Sequence, residues 1–409
     1  MTYYRYLLAI ASVAIFYTNV PDYVNMITNN KDSAPMFWVI GFCLLSLPLL
    51  IEQMMRSDIL KSPLIIWCFG FAWLTAAWFF LSSQSDIAWQ EVRWRVLTIS
   101  QLLMFLVLFA HPDAARSARQ AVVAGVLFGV ALNIYELFVP LSFSRVLGRS
   151  AGLYLDPNIT AEALVIGMIL SATVLPAWCR GPFILLTGIG VFTTLSRGGM
   201  LAWAIAVMGF LLVGRVRLKD LLQSVSIGLL LVLVVLLPRW DQLLTTLERT
   251  GAINKNMEER LAWITDPSGV SDYSSWERKY LAKQAWEKIA DHPFLGSGTG
   301  SAREEVVGAH NQYLSLMQDH GLLGAAIVPL LVLAVTWGAR GESRGIAMVF
   351  GCIVMVLSFF THTFMYRANS LMLLALMAAM VSISRESEIQ RTQAITTRVV
   401  GVAKAWVRA

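Results

Sequence analysis

Residues 221–237 read LLQSVSIGLLLVLVVLL, a run without one charged side chain and close to the length a helix needs to cross the hydrocarbon core of a bilayer. Runs of this kind recur along nearly the whole chain of 409 residues, which is 57% hydrophobic and only 14% charged. A water-soluble fold of this length has no way to hide that much apolar surface, so the composition places the chain in a membrane. The runs do not alternate residue by residue as barrel strands do. Backbone groups in lipid must bond within their own segment, so the runs are expected to be helices.

Working outward from 221–237, twelve spans are expected, at about 6–20, 35–51, 63–82, 96–110, 121–139, 159–178, 183–196, 199–213, 221–237, 320–338, 346–361 and 369–384. The first is read as a retained span, because Ala14 to Val20 offers no convincing cleavage site before Pro21. Residues 1–237 then hold the first nine helices, 238–310 a long loop, 311–384 the last three helices and 385–409 a basic tail. The loops fall into two alternating sets. The set containing both termini holds sixteen lysines and arginines; the short loops of the other hold seven, namely Lys31, Arg93, Arg95, Arg145, Arg149, Arg197 and Arg367. This excess assigns both termini to the cytoplasm and the long loop to the outside. The tight turn Ser196-Arg197-Gly198-Gly199 carries the parity of everything downstream. After Ser384, basic residues interleaved with Ile389, Ile395, Val399, Val400, Val402 and Trp406 predict an interfacial helix at the anionic inner leaflet.

Topology accounts for the net charge of +6, so no nucleic-acid partner is expected. The four cysteines, Cys43, Cys68, Cys179 and Cys352, all lie in or at the ends of apolar runs, which argues against disulfides and cysteine metal sites. Two closely spaced carboxylates are a common way to hold a divalent ion. This chain has no Asp-x-Asp, and its pairs Glu258-Glu259 and Glu304-Glu305 are adjacent rather than stacked on one helix face. Neither a metal nor a cofactor is expected.

The long loop carries eleven acidic and nine basic side chains, more than a simple connection requires. Ser274-Ser275-Trp276-Glu277 has capping-box spacing, and Trp276, Tyr280, Leu281, Ala285 and Ile289 recur at helical intervals. These predict an amphipathic helix over about 275–290, lying over the membrane domain with its apolar face buried there or in lipid, and ended by Asp291-His292-Pro293. The following Gly296-Ser297-Gly298-Thr299-Gly300 admits two readings. A flexible turn is favoured over a phosphate-cradling nest, because the run lacks the lysine of a nucleotide loop and follows no strand.

Ala309-His310-Asn311, then nine residues, then Gly321-Leu322-Leu323-Gly324 resembles the O-antigen ligase and polymerase superfamily, whose signature sets a His-Asn pair ahead of a Gly-x-x-Gly at this spacing. Asp156-Pro157-Asn158 at a span start, Leu195-Ser196-Arg197-Gly198-Gly199 at an outer turn, and Arg278 on a helix running to His292-Pro293-Phe294-Leu295-Gly296 fit the same resemblance, which covers roughly 145–330 in order. It implies a glycosyltransferase-C-like membrane fold and an undecaprenyl-pyrophosphate-linked glycan as donor. It also implies lipid A-core as acceptor, inversion at the transferred carbon and a bacterial inner membrane with the loop in the periplasm. Polymerisation of repeat units and transfer to protein hydroxyls share these motifs; the single moderate loop without an appended domain favours the ligase.

Breaking a sugar–phosphate bond leaves negative charge on the departing diphosphate. Arginine suits it, since its planar fork binds phosphate bidentately and keeps its proton. Arg197 and Arg278 are the candidates, with Arg260 as a fallback that reads more simply as a surface ion pair. His310 is placed beside the acceptor hydroxyl, as a base or as a hydrogen-bonding guide. Asn311 orients the site or caps the next helix, and Asp156 and Asn158 either satisfy a helix start or touch substrate. His362 and Arg367 line the cavity or anchor a span end, with the anchor favoured. His320 reads as a packing residue, and His111 and His292, each before proline, as turn residues. A secondary transporter is the reading from another class. It is disfavoured because the acids Glu136 and Glu162 stand near span ends and the central spans are nearly free of charge.

Overall fold

A computed structural model describes residues 2–28, 35–54, 62–251, 258, 273–304 and 308–408. Its helices, in chain order, are α1 Thr2–Ser12, α2 Val20–Thr28, α3 Pro35–Met54, α4 Pro63–Leu81, α5 Asp86–Phe109, α6 Pro112–Phe138, α7 Pro157–Ser171 and α8 Ala177–Thr193. They continue with α9 Arg197–Leu212, α10 Leu218–Leu231, α11 Trp240–Arg249, α12 Tyr273–Asp291, α13 Gln312–His320, α14 Gly324–Thr336, α15 Gly341–Leu357 and α16 Ala368–Arg408. There is no strand among the described residues. The protein is an all-α polytopic membrane protein. Among the described residues eight helices are long and apolar enough to cross a bilayer, or nine if the bent pair at the N-terminus is one span. Three of the twelve expected runs, at 183–196, 199–213 and 346–361, fall in the shorter α8, α9 and α15.

The starts of these helices follow from local chemistry. Proline, which has no N–H to satisfy, stands first in α4, α6 and α7. Orphan N–H groups are taken up by Ser85 ahead of α5, His111 ahead of α6, Asp156 ahead of α7 and Ser196 ahead of α9. His111 is thus a cap and more than a turn residue.

α7 and the first part of α16 form the centre and are buried almost throughout. At the other extreme, α10 buries no side chain, as expected for a helix whose neighbour is lipid. α7 also fixes the scale of the molecule. Its cap Asp156 lines a cavity at one end, and Thr173, just past its last turn, lines another at the opposite end; at 1.5 Å per residue these lie roughly 25 Å apart. α16 runs between the same two cavities, from Ala368 to Ser384. Contacts group several loops at each of these two ends. Arg5 pairs with Glu52 at 3.2 Å, Tyr6 bonds Asp113 at 3.0 Å and Arg215 bonds the Glu342 carbonyl at 2.6 Å at one end, while Asn19 bonds the Leu153 carbonyl at 3.2 Å at the other.

Several expectations change. The first span is α1 with a π-helical turn, Val13–Tyr17, and the chain then bends by 51° into α2. The fourth span begins ten residues early, at Asp86, so Arg93 and Arg95 are not loop charges. Arg95 is fully buried inside α5 and paired. Tyr273 already belongs to α12, so the proposed capping box at Ser274 falls within its first turn. Of its apolar stripe, expected to be buried on the membrane domain or in lipid, Ala285 and Ile289 are buried in the protein, while Trp276 and Tyr280 stack on each other with centroids 5.3 Å apart on the protein's outside. The tail continues α16 without a break to Arg408. All four cysteines are free.

The glycine run 296–300 is a packed turn and not a flexible one. Ser297 N–H donates to the Gln318 carbonyl at 2.7 Å and Thr299 N–H to Ser82 Oγ at 3.3 Å, and Gly298 to Gly300 are buried. A Cβ on Gly324 would run into the Leu316 carbonyl. The second glycine of Gly-x-x-Gly is therefore what lets α14 fold back against α13.

Candidate active site

A cavity of about 430 Å³ lies where α2, α3, α5, α7 and the loops before α13 and α16 converge. Its apolar side includes Phe16, Met36, Val39 and Leu97; its polar side carries Asp156, Asn158, Arg303, His310, His362 and Arg367. A narrow recess of about 30 Å³ adjoins it and shares Asn158, Phe360 and Thr361 with it. Arg197, Arg278 and Glu162 line that recess. Residues from separate stretches of chain thus line two adjoining recesses.

Each is held by its surroundings. Arg197 is the first residue of α9, and Ser196 Oγ caps that helix through Gly199 N–H at 3.3 Å. A Cβ on Gly199 would collide with that of Ala161, so glycine there lets the turn press against α7. Arg278 projects from the second turn of α12. His310 has a left-handed backbone, φ +47°, uncommon for a residue with a side chain and a form of strain that the surrounding structure must impose. Its ring meets that of His362 edge to face, centroids 5.0 Å apart.

Burial disfavours the charged imidazolium of His310, and the guanidinium of Arg278 pushes its pKa further below the ordinary value. Burial, then the charges of His310, Arg367 and Arg303, bring His362 down to about 4. Both rings are neutral near pH 7, and a neutral imidazole can accept a proton or a hydrogen bond.

Asn311 caps α13, its Oδ1 accepting from Tyr313 N–H at 3.0 Å and Leu314 N–H at 3.2 Å, so it supports His310 from the next position. Asp156 Oδ1 caps α7, accepting from the N–H groups of Asn158 and Ile159. Asn158 acts differently, its Oδ1 accepting from Arg149 at 3.0 Å. Arg367 lies 3.5 Å from Glu162 and donates to Thr361 and Thr363. It is a cavity-lining residue and not just an interface anchor. Arg260 lies outside the described residues.

Sequence reasoning missed the wall behind His310. Arg303 lines the cavity with its guanidinium over the Tyr366 ring at 4.9 Å and the Trp94 ring at 5.7 Å, and bonds Glu91. Glu91 also binds Arg95 at 2.9 Å and Tyr366 at 2.5 Å. Arg95 reaches Asp319 and sits 2.8 Å from His320 Nε2, so His320 belongs to a charge network instead of merely packing. Buried charges survive when paired on all sides like this. Glu136, the other acid weighed for transport, accepts from the N–H groups of Phe143, Ser144, Ala151 and Gly152; its charge closes a loop. Among the described residues no group of three or more His, Cys, Asp or Glu side chains is placed to hold a metal.

The fold and this cavity define a polytopic membrane protein with a polar chamber, lined by arginine and histidine, at one end of its bundle. Residues 182–328 match the family described as O-antigen ligase, and over that segment the chain is similar to that family. The match runs from α8 into α14 and includes Arg197, Arg278 and His310. No curated protein matches the chain.

Proposed function

We propose that the protein is an O-antigen ligase, transferring O-antigen glycan from undecaprenyl pyrophosphate to a sugar hydroxyl of lipid A-core in the periplasmic leaflet of a bacterial inner membrane, with both termini cytoplasmic. The observation that carries this reading is the meeting of His310, Arg197 and Arg278 around two adjoining recesses. The acceptor hydroxyl, hydrogen-bonded to neutral His310, attacks the anomeric carbon from the face opposite the diphosphate. The bond from that carbon to the phosphate oxygen breaks, its electron pair stays on the diphosphate, and the hydroxyl proton passes to His310. Arg197 and Arg278 hold the departing charge, which strengthens as the bond lengthens, so their contribution is larger in the transition state than in the bound donor. With guanidinium groups in that role the transfer is metal-independent, and attack from the opposite face inverts the anomeric centre. Asp156, Asn158 and Arg367 bound the chamber in which the sugars lie, and the apolar wall around Phe16 and Val39 suits a lipid chain.

The test is reconstitution with lipid-linked O-antigen and lipid A-core in the presence of a chelator. The wild type forms lipopolysaccharide, and His310→Ala and Arg278→Ala do not. No product from the wild type, or equal product from all three, refutes the reading. Offering a second donor or a pilin-like protein in place of lipid A-core ranks the ligase against polymerase and protein-transferase activities.

A further inference from the structure

At the end of the bundle away from His310, a second cavity of about 360 Å³ opens between α6, the end of α7, α15 and α16. Its polar lining is Arg116, Arg119, Thr173, Glu342, Ser343 and Ser384, and its apolar lining includes Val174, Ile346, Met380 and Ile383. We propose that this cavity binds the phosphodiester headgroup of an anionic phospholipid, with the apolar residues receiving the upper part of its acyl chains.

Charge points there first. Arg119 is anchored, its Nε donating to the Leu170 carbonyl at 2.8 Å and its Nη2 to Thr173 Oγ1. Its Nη1 takes no acceptor among the described residues. Arg116 is exposed one turn earlier on α6 and has no carboxylate partner among the described residues. Arg180 stands near enough to act on Arg119 electrostatically, and its own donors go to the neutral carbonyls of Thr173, Leu175 and Arg215. Glu342 is the one acid in the lining, against two arginines. The cavity therefore holds excess positive charge, with the Arg119 guanidinium aimed by its bond to the Leu170 carbonyl; the hydroxyls of Ser343 and Ser384 bond each other at 2.7 Å in its wall. Guanidinium forks are donors that phosphate oxygens use.

Position points the same way. The cavity lies at the ends of helices that cross the bilayer, so its ligand comes from the headgroup layer. Basic pockets between transmembrane helices on the cytoplasmic side are suited to anionic headgroups. A single anionic lipid would also brace α6, α15 and α16 against one another at the end remote from the reaction. None of this depends on which glycan the other end transfers.

The full chain, delipidated in detergent, is titrated with phosphatidylglycerol, with phosphatidylethanolamine of identical chains, and with inorganic phosphate, while native mass spectrometry counts bound lipid. Phosphatidylglycerol is expected to bind on the order of tenfold more tightly than phosphatidylethanolamine. Arg116→Gln, a change at an exposed residue without an ion-pair partner among the described residues, should remove most of that preference, and Arg116→Gln with Arg119→Gln all of it. Equal binding of the two lipids overturns the proposal, as does an undiminished preference in both variants. Full displacement of phosphatidylglycerol by millimolar phosphate would also overturn it, because the site would then belong to a free anion.

Discussion

The imidazoles of His310 and His362 meet edge to face, ring centroids 5.0 Å apart and planes at 80°. One is beside the proposed reaction, and the other has its pKa lowered by burial first and then by the charges of His310, Arg367 and Arg303. The pair stays neutral at neutral pH because protonating either ring places a cation among cations in a half-buried wall.

A pH dependence follows with a definite sign. Proton acceptance needs neutral His310, whose pKa lies below the ordinary value of about 6.5. Transfer should hold at neutral pH and fall as pH drops through that lowered pKa, so the midpoint of the acid limb of kcat/KM lies below about 6.5. In Arg278→Gln the residual activity should show this midpoint moved upward, since one lowering charge is gone. An acid limb that does not move would separate Arg278 from His310.

Arg278→Lys and Arg197→Lys keep the charge but lose the fork. If each arginine holds the departing diphosphate bidentately, either substitution should lower kcat by about 10²-fold. Near-normal turnover in both lysine variants would reduce these arginines to generic positive charge.

Glu91 binds Arg95, Arg303 and Tyr366 at once. Glu91→Gln leaves the fully buried Arg95 with half its compensation, a class of change that costs about 3–5 kcal/mol. Thermal unfolding in detergent should show a large drop in Tm. Phospholipid binding at the opposite cavity should be kept in whatever fraction remains folded.

Gly199→Ala pushes a methyl group into Ala161 and displaces the turn that carries Arg197. A misplacement of about 1 Å at a reacting centre can cost 10²-fold in rate. The expected result is a folded protein with kcat reduced by at least about tenfold, read by the transfer assay beside an unchanged elution profile.

The helices were legible because hydropathy is a local property; each apolar run, 221–237 first among them, became helix. The caps at Asp156 and Asn311 were legible for the same reason, since Asp and Asn ahead of an apolar run satisfy N–H groups two or three residues on. Arg95 was misread because its partner Asp319 lies 224 residues away, and a charge flanking an apolar run looks like a loop until its partner is seen. Arg303 was hidden in the same manner. It stands seven residues before His310 in a loop rich in charge, and its partners, Glu91 and the rings of Trp94 and Tyr366, are distant in sequence. The bend after Tyr17, which brings Asn19 and Asp22 to the cavity, left no signal beyond a proline at position 21.

The proposed mechanism requires one diphosphate to lie between Arg197 and Arg278 while the sugar it carries faces His310. An experimental structure with a non-hydrolysable lipid-diphosphate sugar bound would locate that group. Phosphate oxygens are expected within hydrogen-bonding distance of both guanidinium groups, with the anomeric carbon on the His310 side. A diphosphate seated elsewhere, with Arg197 and Arg278 touching only protein, would contradict the mechanism.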